Sequence, residues 1–491
     1  MAEKIRKLLR DSKAARWGAL LILSFAMFAG YWFTEVIDPI KGPLEASYGW
    51  SSSDFGAVVS AYGWFNVFLG MLVIAGIVLD KMGIRFSTLA ATITMVAGAS
   101  LKYYALSGRV DPTSTIMGMR TQILLASLGY ATFGVGVEYA GITVSKSIVK
   151  WFKGKEMALA MGMQVALARL GSFVPLAFGA KFAKETSIPT YVLVSLLALV
   201  IGFFSMLMYN VMDRKLEAED AASAANGDSE KDKFKFSDLK AIVGNLGFWY
   251  IALLCVLFYS AVFPFYKYGP DLMVNKFHVP ESWAGIIPSL VPFGTIFLTP
   301  LFGGIYDKKG KGATIMIIGA IMLVFVHVVF YLPFIDSMYV AIANSILLGI
   351  AFSLVPSAMW PSVPKLIPEK QLGSAYALIF WIQNWGLMGI PFIIGKVLDK
   401  TNPTIAPMIA KYQAQFKAQG MTTEQIAHHI DKLKAAGTIP TYNYATTWLI
   451  FIGLSLLAVV IAFLLKRENK RRGYGLQMPN IESERNQTDS A

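Results

Sequence analysis

Two residues of opposite charge, Glu138 and Arg169, lie inside long apolar stretches of this 491-residue sequence. A charged side chain at mid-bilayer costs at least roughly 2.5–3.5 kcal/mol, so each needs a physical reason. Glu138 precedes Trp151 by thirteen residues, and Arg169 follows Lys155 by fourteen. At about 1.5 Å of rise per residue, these offsets are about 20 and 21 Å along a helix. Folded as an antiparallel hairpin, the two stretches bring the charges to one depth. Two arrangements are open. The pair can be a permanent ion pair between helices. Alternatively both face a cavity and hold opposite ends of a zwitterion, exchanging partners when it binds. In the second arrangement Arg169 clamps a carboxylate with its bidentate fork, where a lysine offers only a point charge. Glu138 then takes an ammonium group.

Other polar groups fall at similar depth: Asn66, Tyr259, Gln383 and Asn384. A peptide bond needs one donor and one acceptor, and side-chain amides supply both. Tyr62, Trp64, Trp381 and Trp385 are candidate cavity walls. Each of these residues also has a plain packing role as its alternative. His327 is expected to be a satisfied structural histidine. Glu35, Asp38, Lys267 and Lys396 fall near the ends of their stretches, where they either form a gate or meet water. Trp360-Pro361 marks a bend near the end of another stretch.

The elements that must position these residues follow from composition. Hydrophobic residues make up 55% of the chain and charged residues 15%, with mean hydropathy +0.53. An ordinary soluble protein is about a quarter charged. Crossing the roughly 30 Å hydrocarbon core takes about 20 apolar residues. Twelve stretches qualify, at 17–40, 54–79, 86–107, 119–149, 157–182 and 189–212, then 247–270, 282–306, 312–334, 338–364, 371–398 and 443–465. The fold class is therefore an all-α membrane protein of two six-helix bundles, 17–212 and 247–465. A charged linker, 213–246, joins them and has a short helical segment near Phe236–Ile242. The tails are 1–16 and 466–491. Within the second bundle, 399–442 reads as a polar, helix-prone insertion, a helical cap or a docking surface, with His428 and His429 solvated.

The net charge of +13 has a topological explanation, because Lys and Arg favour cytoplasmic loops. They gather in the N-terminal tail (Lys4, Arg6, Lys7) and in the even-numbered connections, as at Lys150, Lys153 and Lys155 or Lys231, Lys233 and Lys235. Lys365 and Lys370 and the C-terminal tail (Lys466 to Arg472) continue the pattern. Both termini are expected in the cytoplasm. No dense basic patch suggests a nucleic-acid partner. One cysteine, Cys255, precludes an intrachain disulfide. No metal-ligand spacing or phosphate-binding loop is present, so neither a metal, a cofactor nor an enzymatic reaction is expected.

A signature recurs in register in the two halves. The loop after the second stretch reads Gly76-x-x-x-Asp80-Lys81-x-Gly83-x-Arg85; that after the eighth reads Gly303-x-x-x-Asp307-Lys308-x-Gly310-Lys311. Gly76 and Gly303 allow close helix approach. Gly83 and Gly310 allow turns with positive φ. Asp80 and Asp307 can pair with a basic residue or a helix N-terminus. Such contacts gate the two halves, while Lys81, Arg85 and Lys308 also anchor topology.

Twelve stretches with a parallel repeat and paired signatures resemble the major facilitator superfamily. Within it, "WFKGKE", "ARLGS", "AVFPF", "QLGSAY" and "IQNWGL" resemble the lysosomal dipeptide transporters and their prokaryotic relatives. That resemblance implies a dipeptide site with a Glu and an Arg at the positions of Glu138 and Arg169, and facilitated uniport. Alternatives are proton-coupled peptide symport, with Glu138 titrating, and organic-anion antiport using Arg169. Against a lysosomal address, Glu3 is one position too far from Leu8-Leu9 for an acidic dileucine signal, and the sequon at Asn486 falls in a tail. A bacterial cytoplasmic membrane is expected. The chain is expected to be monomeric, in contact with lipid and dipeptides, and an accessory membrane subunit is not indicated.

Overall fold

A computed structural model describes residues 9–111, 113–116, 118–152, 155–223, 236–368 and 371–479. Lys4, Arg6, Lys7, Leu8, Lys153, Lys231, Lys233, Lys235, Lys370 and Asn486 fall outside the described residues.

The first half contains α1 (Lys13–Thr34), α2 (Lys41–Tyr48), α3 (Ser52–Ser60), α4 (Trp64–Phe68), α5 (Met71–Leu106), α6 (Thr121–Trp151), α7 (Met157–Glu185) and α8 (Ile188–Ser223). After α9 (Phe236–Val243), the second half contains α10 (Leu246–Phe277), α11 (Glu281–Ala284), α12 (Ile286–Lys309), α13 (Gly312–Tyr331) and α14 (Met338–Leu366). It continues with α15 (Leu372–Thr401), α16 (Ile405–Ala418), α17 (Thr423–Ala435) and α18 (Ala445–Arg472). The only strands among the described residues are a two-residue pair, Thr115–Ile116 with Met119–Arg120.

Ten of these helical segments are singly long and apolar enough to cross a bilayer. The expected second and third spans differ from the simple reading. They form one run, Ser52–Phe68 and Met71–Leu106, bent by 57° at Leu69-Gly70. Inside α5 the backbone leaves the helix at Gly83, with φ 80° and ψ 174°. Only glycine adopts that conformation at no steric cost. At about 1.5 Å per residue an unbroken α5 would be about 54 Å long, far beyond one crossing. Gly83 thus divides the run into two crossings, which brings the total to twelve.

The helices pack as two bundles. In the first, α1 lies against α7 and α8, and α5 against α6; in the second, α10 lies against α15 and α18, and α12 and α13 against α14. The linker begins later than expected. α8 continues past residue 212 to Ser223, and Asp213 is buried against Lys150 at 2.9 Å. The 399–442 insertion is a helical hairpin, α16 and α17, resting on α2 of the other half.

The two halves meet mainly through α3 with α15 and α7 with α11 and α12. These contacts lie on the face away from the chain termini, here the far face; the opposite one is the tail face. A Cβ on Gly395 would stand 2.3 Å from the Ser52 carbonyl oxygen, so backbone approaches backbone there. Beside it, the Asp399 carboxylate accepts from the Ser52 and Ser53 amides at 3.0 and 2.8 Å. An acid of the second half thus caps the N-terminus of α3 in the first.

The tail face is different. Gly76 and Gly303 have no atom within 4 Å of where a Cβ would sit. The close helix approach expected of them is absent in this conformation, because the halves part on that side. Asp80 pairs with Lys146 at 2.5 Å and Arg85 with Glu217 at 2.5 Å, both within the first half. Lys81 and Lys308 are exposed. Gly310 has φ +66° and packs against the C-terminal segment, where the Lys311 and Gly312 amides donate to the Gln477 and Leu476 carbonyls at 2.9 Å.

Candidate functional site

A cavity of about 670 Å³ lies between the halves. Its volume falls in the range of sites for small organic ligands. It runs from Ser145 and Met161, near the tail-face ends of α6 and α7, to Glu35, Lys267 and Pro391 toward the far face.

Glu138 and Arg169 both line it. They do not pair with each other, so the permanent ion pair is absent here. The Glu138 carboxylate accepts from the Tyr62 hydroxyl at 2.8 Å. The Arg169 guanidinium carbon lies 5.9 Å from the Tyr31 ring centre and 5.6 Å from that of Phe352. Those rings come from α1 and α14, one from each half. Cation–π contacts orient the guanidinium and leave its donors for another partner. Among the described residues neither Glu138 nor Arg169 has a charged partner within 4.0 Å.

The second half contributes Tyr259, Gln383 and Asn384 to the lining. The Tyr259 hydroxyl accepts from the Trp360 indole at 3.1 Å. The Asn384 amide donates to the Phe380 carbonyl at 2.9 Å, while its own oxygen is buried without a partner. The Gln383 side-chain oxygen is also unpartnered. Two acceptors therefore stand ready on this wall.

Other candidates lie elsewhere. Asn66 is buried outside the lining, its amide atoms unpartnered. Trp64 is also outside, its indole donating to Ser60 at 3.3 Å. Trp381 ties the halves together by donating to the Val67 carbonyl at 3.1 Å, and Trp385 stacks edge-on with Phe68. Trp64 and Asn66 lie on α4, and Trp381 and Trp385 of α15 pack against Val67 and Phe68 at the end of α4, outside the cavity lining. Conversely, Tyr31, Phe263, Trp360, Tyr376 and Phe380 line it, and sequence reasoning missed them as lining. Aromatic residues are equally at home against lipid and against a cavity, so helical spacing carried no signal for them. His327 is buried and bonded to Ser455 at 2.8 Å, away from the site.

Toward the far face the cavity is closed by ions. The Lys267 ammonium of α10 binds Glu35 at 2.7 Å and Asp38 at 2.9 Å. The two carboxylates belong to the first half and are buried. These three residues form a buried ion cluster that joins the two halves. Lys396, grouped with them by sequence, is exposed and lies 5.6 Å from the Phe392 ring, so it takes no part.

Residues 20–391 match the Major Facilitator Superfamily. The chain belongs to that superfamily. It is an integral multi-pass membrane protein and a transporter, not an enzyme. This superfamily member is 28% identical over 397 residues to the lysosomal dipeptide transporter MFSD1 of Homo sapiens, covering 79% of this chain and 80% of that protein. It is 32% identical over 285 residues to MFSD1 of Gallus gallus, covering 56% and 62%. Among solved structures it is similar to a bacterial homologue of the human lysosomal transporter Spinster, in an inward-facing and unoccupied conformation. The TM-score is 0.66 at 14% identity, over 96% of this chain and 99% of that one. That likeness shows the fold.

Proposed function

We propose that this transporter carries dipeptides by alternating access, binding them in the central cavity by both termini. The observation that carries the reading is the pair of opposite charges, Glu138 and Arg169, that face one cavity without neutralising each other. A dipeptide presents an ammonium and a carboxylate at its two ends, which suits one acid and one guanidinium. Arg169 holds the carboxylate in a bidentate contact. Glu138 holds the ammonium, with Tyr62 fixing the carboxylate rotamer. The unpartnered oxygen of Asn384 accepts the peptide N–H, and the Tyr259 hydroxyl faces the peptide carbonyl. The similarity to proteins named as lysosomal dipeptide transporters supports the substrate class. Side chains of either residue occupy the remaining volume, so breadth of substrate follows from fixing only the backbone ends.

The tail face is the cytoplasmic one, by the Lys and Arg of its loops. The conformation here is then closed outside by Lys267, Glu35 and Asp38 and open inside. The paired loop signatures close the cytoplasmic side in the opposite state. The reaction is uniport: the substrate supplies both charges that the site needs. A thermal-shift screen of the purified protein against dipeptides, free amino acids and dicarboxylates tests the substrate class. Stabilisation by dipeptides above the other two classes is expected. Preference for dicarboxylates would overturn the reading in favour of anion exchange. Uptake into proteoliposomes at symmetric pH tests coupling, and uphill accumulation driven by an imposed proton gradient would overturn uniport.

A further inference from the structure

We infer that the α16–α17 hairpin is a latch on the far face, fastened to the second half at its root and to Glu45 of the first half at its working face. This goes beyond the substrate reading and does not depend on it. The root is fixed by a reciprocal pair: the Asn402 amide donates to the Asn443 carbonyl at 3.2 Å, and the Asn443 N–H donates to the Asn402 side-chain oxygen at 2.8 Å. A third bond runs from the Tyr442 N–H to Asn275 of α10 at 2.8 Å. The hairpin therefore moves with the second half.

Its contacts cross to the first half. Glu45, on α2, has its side chain wholly buried and receives the Tyr442 hydroxyl at 3.0 Å and the Lys434 ammonium at 3.5 Å. The third donor, Lys41 at 2.6 Å, comes from α2 itself and reaches on to Asp271 of α10 at 3.0 Å. The Gln413 amide donates to the Glu45 and Ala46 carbonyls at 3.0 and 2.7 Å. Those carbonyls belong to the last turn of α2. The Glu45 one also accepts from the capping Gly49 N–H at 2.9 Å, so Gln413 adds a second bond there and a bond to Ala46 beside it. Ile409 and Ile430 are buried beneath these bonds. None of these groups touches the central cavity. Because the root is rigid on one half and the bonds end on the other, the far face cannot part while they persist. The hairpin thus holds the protein in the state in which the cavity communicates with the tail face, and its strength sets how often the far face opens.

The test uses the full chain with nitroxides on Thr113→Cys and Ser337→Cys, one exposed residue in a far-face loop of each half. The native Cys255 is buried and takes no label. Electron–electron double resonance reads the far-face distance. Gln413→Ala with Tyr442→Phe removes three hydrogen bonds and leaves the buried Ile409 and Ile430 in place. It is expected to raise the ratio of open to closed far face by about ten-fold or more. Replacing 405–439 by a short Gly-Ser linker is expected to raise it further, since Asn402 and Asn443 already hold the ends together. Lys432→Ala, on an exposed side of α17, is expected to change nothing. An unchanged distance distribution in both the double variant and the linker variant overturns the latch. So does an equal shift in Lys432→Ala. A role confined to folding would lower the melting temperature without moving the distance.

Discussion

Replacing Glu138 by Gln removes one charge and almost no volume, and it isolates the ammonium contact. The Tyr62 hydroxyl that donates to Glu138 at 2.8 Å finds an equivalent acceptor in the glutamine oxygen. Folding is therefore expected to survive, with a melting temperature within a few degrees of the parent. Binding is not. A hydrogen bond to a charged group contributes about 1.5–3 kcal/mol, which is about 10- to 150-fold in Kd. The loss should be specific to the amino end. Isothermal titration with a free dipeptide and with its N-acetylated form, on both proteins, makes a thermodynamic cycle. The acetylated peptide is expected to bind the parent and the variant about equally weakly, because each change removes the same contact. Two results would refute the reasoning. One is a variant that binds the free dipeptide as the parent does. The other is acetylation and substitution that weaken binding additively, which would mean the ammonium sits elsewhere.

Arg169→Lys keeps the charge but loses the bidentate fork. It is expected to weaken free dipeptides by about 10-fold or more while leaving C-terminally amidated ones unchanged, read by the same titration. Lys267→Ala strands Glu35 and Asp38 in a buried setting; loss of one partner of a buried pair costs about 3–5 kcal/mol. A large fall in melting temperature is expected, with recovery of most of it in Lys267→Arg; equal stability of Lys267→Ala would remove the gate. Gly395→Val places side-chain carbon where the Ser52 carbonyl already stands, 2.3 Å from an ideal Cβ. Labels across the far face should report it open, and proteoliposome flux should fall by an order of magnitude or more; normal flux would sink the claim that this backbone contact closes the face.

Periodicity and hydropathy were enough to reach the twelve crossings and the two bundles, because lipid imposes a length and a composition on each span. The same reasoning placed Glu138 and Arg169 at one depth, since helical rise is fixed. It could not turn Asn66 or Trp64 away from the cavity. A turn at Ala61–Gly63 separates α3 from α4, and Tyr62 within it lines the cavity while they do not; nothing local in the sequence announces that turn. Nor could it see the insertion as a hairpin seated on the other half. That placement rests on Glu45, Gln413 and Tyr442, which are far apart in sequence and carry no periodic pattern. The glycines Gly76 and Gly303 were read for a closed tail face. In the open one they have nothing near them.

Lys267 with its two acids and the pair Glu138 and Arg169 use the same chemistry for opposite ends. In the sequence both are charges near or inside apolar stretches, and nothing local separates them. What separates them is access to water. The Lys267 group is buried between α10 and the segment that follows α1, and a charge enclosed there persists only if it is paired. Glu138 and Arg169 face a cavity that reaches the tail face, so solvent screens them and the cost of staying unpaired falls. When the halves rock, the two settings trade places. The gate ions must then part into an opening far face, while the cavity charges are cut off from the tail face. A zwitterion that neutralises both lowers the cost of that second step in a way an empty cavity does not. Exchange of substrate across the membrane is therefore expected to run faster than return of the empty carrier, measured as trans-stimulation in proteoliposomes. Equal rates with and without substrate on the far side would show that Glu138 and Arg169 do not limit the turn.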